Sequence, residues 1–340
     1  MREQNKPMTA KYFRHILEFK RPGGTSRGVL LEKETFILEI FDGENKGIGE
    51  CAVFRGLSSD DVPEYEQKLE WLCKNIGADE TFIKRELRDF PSIWFGLEQA
   101  KRNLEFGNDL YFPSQFTEGQ GFIKINGLIW MGDADFMKSQ IREKLDLGYD
   151  CIKLKIGVNW EEEKAILKNL RKEFSAEKLE LRVDANGGFS FNAAKAVLQE
   201  LAELKIHSIE QPIKAGNTDE MAELCAETPT AIALDEELIG VNDFSEKKIL
   251  LEKIRPQFII LKPSLCGGFS GSDEWIELAE NQGIGWWITS ALESNIGLNA
   301  IAQYTFTKKP KMPQGLGTGA LFTNNFESRL NLVGDKLFHL

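Results

Sequence analysis

Histidine is scarce in this chain of 340 residues: His15, His207 and His339 stand far apart, so no zinc-type spacing exists and histidine-based metal chemistry is not expected. Cysteine is scarce too. The five that occur (Cys51, Cys73, Cys151, Cys225 and Cys266) are odd in number, widely spaced and without a C-x-x-C pair, and they read as buried thiols rather than redox or metal groups. Positive charge is outweighed, with 42 Lys and Arg against 53 Asp and Glu and a net charge of −11. That balance argues against nucleic acid or an anionic membrane as a partner, because either would repel the chain. No apolar run approaches the roughly 18 residues of a membrane span, and the opening Met1-Arg-Glu-Gln-Asn-Lys-Pro-Met8 lacks a signal-peptide core. The expected location is the cytoplasm. Phosphate loops are missing as well: Pro22-Gly-Gly-Thr-Ser-Arg-Gly28 has no Lys-Ser/Thr ending, and Gly315-Leu-Gly-Thr-Gly319 lacks the full G-x-G-x-x-G spacing.

What is present is enough apolar residue, 42% of the chain, for a large core divided over two regions. From about residue 121 onward, short β-branched runs alternate with longer amphipathic segments, as in repeated βα units. The strand candidates are Ile123–Met131, Cys151–Ile156, Leu179–Asp184, His207–Gln211, Ala231–Asp235, Phe258–Leu261, Gly285–Ser290 and Met312–Gly317. Eight strands close a barrel of this kind. Helix starts are expected at Asn159, at Asn192 and at Ser272-Asp273, with Gly283 ending the last of these helices. Residues 1 to about 120 form an α+β region, with strands at Tyr12–Phe19 and Gly28–Ile40, a turn at Asp42-Gly43, and helices near 62–75 and 92–106. The Pro22–Gly28 stretch is either a plain hairpin connection or a mobile active-site lid.

Charge in the wrong place marks the chemistry. Lys153 and Lys155 lie two apart on a strand whose other face is Ile152, Leu154 and Ile156, so alternation turns both lysines into the barrel. Asp184, Glu210 and Asp235 end successive strands at intervals of 26 and 25 residues, one βα unit each. Three unpaired carboxylates at one rim repel one another. A hard divalent cation resolves that conflict, and oxygen donors suit Mg²⁺ better than zinc. Lys262, 27 residues beyond Asp235, brings another cation to the rim from the far side. Burial and neighbouring positive charge are expected to lower a lysine's pKa toward general-base use, with the metal stabilising the enediolate left by proton loss next to a carboxylate. Arg182, on the same face two residues before Asp184, is either a further substrate contact or a structural counter-ion.

The ordered set Lys153-Leu-Lys155, Asp184-Ala-Asn186, Glu210-Gln-Pro212, Asp235-Glu236 and Lys262-Pro-Ser264 with Gly267-Gly268 resembles the enolase superfamily. The resemblance is to the branch containing muconate-lactonizing enzyme, dipeptide epimerases and o-succinylbenzoate synthase. It implies a modified (β/α)₇β TIM-type barrel over 121–319 with an N-terminal α+β capping domain over 1–120, joined by the C-terminal tail at about 320–340. It implies Mg²⁺, with Mn²⁺ as a substitute, on Asp184, Glu210 and Asp235. Lys155 would be the acid/base, Lys262 its partner across the substrate and Lys153 a supporting charge. The role of Glu236 stays open, since the family pattern favours the aspartate of Asp235-Glu236 as ligand and alternation would turn Glu236 away, and the Gly23–Gly28 loop would be the mobile specificity loop.

Within that branch, three segments are similar to the o-succinylbenzoate synthase family: Gly47-Ile-Gly-Glu50 running on to Phe54-Arg-Gly-Leu-Ser58, Ile125-Asn-Gly-Leu-Ile-Trp-Met131, and Ser290-Ala-Leu-Glu-Ser294. The eighth strand carries Gly315-Leu-Gly-Thr-Gly319 where dipeptide epimerases place Asp-x-Asp to hold an ammonium. The implied substrate is a small dicarboxylate, 2-succinyl-6-hydroxy-2,4-cyclohexadiene-1-carboxylate, dehydrated on the way to menaquinone. Asn186, Ser290, Arg182, Gly317 and Arg27 are its candidate contacts. The rivals are an N-acylamino acid racemase or dipeptide epimerase, and a barrel that only binds or scaffolds.

Overall fold

The computed structural model describes residues 8–25, 28–130 and 132–340. Its first layer is an antiparallel sheet of β1 (Thr9–Thr25), β2 (Gly28–Asp42) and β3 (Asn45–Cys51). Helices α1 (Tyr65–Lys74), α2 (Glu80–Glu86) and α3 (Pro91–Phe106) cover it. The alternation of β2 explains the packing: Phe36, Leu38 and Ile40 are all fully buried against Tyr65, Leu69 and Leu97. Gly47 and Gly49 let α3 lie directly on β3, since a Cβ at either would sit 2.0 Å from the carbonyl oxygen of Ala100 or Gly96.

After β4 (Ile123–Lys124) the chain builds β5 (Gly127–Ile129), α4 (Ala134–Asp146), β6 (Cys151–Lys155), α5 (Trp160–Glu173), β7 (Glu180–Asp184), α6 (Phe191–Glu203) and β8 (Ser208–Glu210). It continues with α7 (Thr218–Glu227), β9 (Ala231–Leu234), α8 (Phe244–Ile254), β10 (Phe258–Leu261), α9 (Gly268–Asn281), β11 (Gly285–Ile288) and α10 (Asn295–Thr307). Strands β5 to β11 form one parallel sheet in sequence order. The eighth position is reduced to single bridges, Ile125 to Gln314 and Thr289 to Gly315, through which residues 314–315 join the first strand to the seventh. The fold is therefore the expected (β/α)₇β barrel with an α+β cap. Ile152, Leu154, Leu181, Val183, Ile209, Ile232, Leu234, Ile259 and Leu261, each at most 1% exposed, point out at the helices and form the main core.

Several local expectations change. The first barrel strand divides, with β4 pairing to β13 (Lys336–His339) and through it β12 (Leu330–Val333), while β5 alone enters the barrel. Met131, placed at its end, lies outside the described residues. Of the Pro22–Gly28 stretch, Gly23, Gly24 and Thr25 pair with Leu30, Val29 and Gly28 after a bulge between Glu18 and Gly23, as in a hairpin, and residues 26 and 27 lie outside the described residues. The α5 start is capped by Glu163, whose carboxylate accepts from the N–H groups of Gly157, Val158 and Asn159, and not by the Asn159 side chain. Ser190 rather than Asn192 caps α6, and α9 begins at Gly268, a turn before Ser272. The tail acts twice, since Leu321 and Thr323 bond to Lys20 and Glu18 of β1 before β12 and β13 run back to β4.

Cap and barrel meet at a partly buried carboxylate. Glu98 of α3 accepts from the backbone N–H of Phe269 (2.6 Å) and Ser270 (3.1 Å) in the first turn of α9. The donors are reachable because Gly267 and Gly268 hold φ of 93° and 74°, and a Cβ on Gly268 would lie 2.1 Å from the Glu98 carboxylate. Burial pushes the Glu98 pKa up to about 7, against the pull of its hydrogen bonds with Ser270 and Phe269. A folded-state pKa above the unfolded one stabilises the fold below the unfolded value, about 4.5, and that stabilisation is lost as pH rises through 7. The full difference is about 3 kcal/mol. Unfolding of a Glu98→Gln variant in denaturant should therefore show a weaker loss of stability between pH 5 and 8 than the parent, and parallel curves would contradict this.

Candidate active site

The barrel interior has two layers. Toward the N-terminal ends of the strands, Ala233, Ile260 and Trp287 pack with Phe258 and Met312. Arg182 belongs to this lower layer: it is fully buried, its Nε donates to Glu180 Oε1 (2.7 Å), Nη1 donates to the Pro313 carbonyl (2.9 Å), and the guanidinium stacks 4.5 Å from the Trp287 ring centroid. This corrects its assignment as a substrate contact. Two residues along a strand is about 7 Å of depth, which carries Arg182 below the cavity and makes it the counter-ion of Glu180.

The upper layer is charged and paired. Strand register sets Lys155 beside Asp184 and Asp184 beside Glu210. Lys155 Nζ donates to Asp184 Oδ2 (2.8 Å) and Asn186 Oδ1 (2.7 Å). Lys153 Nζ donates to both oxygens of Glu210, at 2.8 and 2.9 Å. Lys262 Nζ donates to Asp235 Oδ2 at 2.5 Å. Lys155 stands on the second barrel strand and Lys262 just beyond the sixth, half-way round an eight-position barrel, so the two amines face each other across its mouth.

The expected lowering of lysine pKa is not what this arrangement produces. For Lys262, burial pulls the pKa down, but Asp235 and Glu236 outweigh it and the value is raised; for Lys153, Glu210 and Asp184 likewise overcome burial. Asp184 shows the reciprocal effect, its burial penalty overcome by Lys155 and Lys153, which hold it well below the carboxylate range. Glu210 goes the other way. Burial, with the charges of Asp184 and Asp235, lifts it to about 7 in spite of Lys153.

Among the described residues no three acidic, histidine or cysteine side chains are already drawn into a metal-sized cluster. The donor chemistry nevertheless fits a hard cation. Asp184, Glu210 and Asp235 are three carboxylates at most 3% exposed at neighbouring strand ends, and Glu210 responds to the charge of the other two.

Above this layer opens a cavity of about 710 Å³ lined by Lys153, Lys155, Asp184, Asn186, Lys262 and Glu236, with Ser290, Gly315 and Gly317 on the side of the eighth strand. Its outer wall carries an apolar patch of Phe19 and Leu30 of the cap hairpin, Phe54 and Trp130, beside Lys20, Arg21 and Arg55. The alternating pattern of β1 could have indicated Phe19. Strand and helix periodicity indicate neither Trp130, which reaches the cavity from just after β5, nor Phe136, which reaches it from the first turn of α4. Asn186 does more than line the wall. With φ of 44° it donates from Nδ2 to Glu236 Oε1 (2.9 Å) while accepting from Lys155, so it orients the amine. Glu236 does not turn away, because the backbone passes straight into a short 3₁₀ turn, Glu236–Leu238, that ends the alternation. The Ser290 hydroxyl is committed to protein partners, Glu293, Thr318 and the Leu292 N–H. Arg27 lies outside the described residues.

Comparison with known proteins agrees with this geometry. Residues 137–327 match the family model described as enolase C-terminal domain-like. The o-succinylbenzoate synthase of Desulfotalea psychrophila is 46% identical over 97% of this chain and 98% of its own length. The crystal structure of MenC from Desulfotalea psychrophila LSv54 superposes with a TM-score of 0.87 at 42% identity, covering 98% of this chain and all of that one. The o-succinylbenzoate synthase of Thermosynechococcus elongatus, solved with Mg in its active site, shares the fold at a TM-score of 0.73 and 23% identity over 90% of this chain and 92% of its own.

Proposed function

Because the chain belongs to the enolase superfamily, we propose that its cavity carries out o-succinylbenzoate synthase chemistry, the dehydration of 2-succinyl-6-hydroxy-2,4-cyclohexadiene-1-carboxylate to 2-succinylbenzoate in menaquinone synthesis. The observation that carries the reading is the pair of opposed amines, Lys155 and Lys262, over a buried carboxylate triad and beneath an apolar patch. In this reading the catalytic unit is 121–319 and residues 1–120 form the cap that covers it.

Lys155 takes the proton from the carbon next to the ring carboxylate, held in place by Asn186 and Asp184. The protonated Lys155 then returns that proton to the departing hydroxyl on the same face, the C–O bonding pair leaves with oxygen as water, and the ring becomes aromatic. Lys262 contributes positive charge from the opposite face, and Lys153 offsets part of the burial of Glu210. Asp184, Glu210 and Asp235 would hold Mg²⁺, which supplies positive charge beside the substrate carboxylate. Gly315 and Gly317 leave room beside the succinyl chain, and no carboxylate stands there to favour a substrate ammonium.

The racemase rival requires both amines to exchange protons, whereas dehydration requires proton transfer at Lys155 alone. Lys262→Arg keeps the charge and removes the second exchangeable base, so it should retain measurable dehydration while abolishing interconversion of the two enantiomers of an N-succinylamino acid, Lys155 alone still exchanging the α-proton of one enantiomer with D₂O. Purified protein that racemises such amino acids and never releases the aromatic product would overturn the assignment.

A further inference from the structure

Lys33 of β2 is a buried cation that the chemistry above does not use. It is 6% exposed, and its Nζ has no hydrogen-bond partner among the described residues. The ammonium lies 6.0 Å from the ring centroid of Phe54, a residue of the cavity wall. Burial pulls its pKa down, and the charges opposing that pull are Glu50, Glu293 and Glu34.

Glu50 and Glu293 are both fully buried, and both have their oxygens filled by neutral donors. Glu50 Oε1 accepts from Thr35 Oγ1 (2.8 Å) and Ser294 N (2.9 Å), and Oε2 accepts from Ser294 Oγ (2.6 Å) and Gly297 N (2.9 Å). A cap residue thus closes the first turn of α10 in the barrel. Glu293 Oε1 accepts from Ser264 Oγ (2.6 Å), and Oε2 accepts from Ser290 Oγ and Ala291 N, both at 2.7 Å. It joins the residue two beyond Lys262 to the cavity wall after β11. Neutral donors leave both charges formally uncompensated, a costly state in a dry interior.

We propose that Lys33 is a positioning residue, an electrostatic latch from the cap whose charge compensates the buried carboxylates Glu50 and Glu293 and thereby fixes Ser264, Ser290 and, through Ser264, Lys262. The proposal rests on the dehydratase reading for its kinetic consequence but not for its structural one.

Two readouts separate them. Lys33→Gln removes the charge with little change of shape, and Lys33→Arg keeps the charge. Amide hydrogen exchange over residues 289–299 should quicken at least about tenfold in Lys33→Gln and stay near wild type in Lys33→Arg. For formation of 2-succinylbenzoate, kcat of Lys33→Gln should fall by about 10²-fold with KM nearly unchanged, the size expected when a positioned group is slightly displaced. The double variant with Glu293→Gln should be no slower than the slower single variant, because both act through one network. Should Lys33→Gln unfold, Glu293→Gln alone must show the same quickened exchange. Wild-type exchange in the charge-removed variants, or additive kinetic losses, would overturn the latch. If wild type itself makes no aromatic product, the functional reading fails while the exchange data still decide the latch.

Discussion

Lys155→Ala should lose about 10⁴-fold or more in kcat, because one side chain serves first as base and then as acid and each role is worth about 10² to 10⁴. The fold should survive. Asp184 keeps the favourable charges of Lys153 and Lys262 and the N–H of Asn186 after the substitution. Circular dichroism should therefore be unchanged, and Mg²⁺ should still raise the unfolding temperature. Steady-state kinetics of the purified variant checks the claim. A loss below about tenfold would remove Lys155 from the proton path.

Glu210→Gln should fail differently, in stability as well as activity. Lys153 is 5% exposed and, among the described residues, hydrogen-bonded to Glu210 alone, so losing the carboxylate charge leaves a buried ammonium without its bonded counter-ion. Breaking such a pair costs about 3 to 5 kcal/mol. The same change removes one of three metal ligands, and Mg²⁺ should no longer protect the protein. In wild type, metal at a hundred times its dissociation constant should add about 2.7 kcal/mol of stability. Thermal unfolding with and without Mg²⁺, for both proteins, tests this. A full metal-induced shift in Glu210→Gln would exclude Glu210 as a ligand, and chelated wild type that remains active would exclude the metal role altogether.

How far the sequence reached depends on whether a feature was local. Lys153 and Lys155 could be placed inside the barrel because strand alternation is rigid over two residues, and the structure shows both there. The carboxylate spacing worked for the same reason, since one βα unit has a nearly fixed length. Arg182 shares that face with Asp184, yet alternation says nothing of depth, and depth separates a floor residue from a site residue. Glu236 escaped because a 3₁₀ turn begins at the residue where alternation would have turned it outward. The lysine pairings were invisible for a further reason. Composition shows lysines near carboxylates, but only register shows Lys153 on Glu210 and Lys155 on Asp184, and for Lys153 that pairing reverses the direction expected for its pKa. Trp130, Glu98 and Lys33 act across long chain separations, which periodicity cannot see.

The most direct measurement is incubation of the purified protein with 2-succinyl-6-hydroxy-2,4-cyclohexadiene-1-carboxylate and Mg²⁺, following the ultraviolet absorbance of the aromatic product. Rapid, metal-dependent appearance of 2-succinylbenzoate, absent with Lys155→Ala, is the expected result. No product above the uncatalysed rate from folded, metal-loaded protein would contradict it.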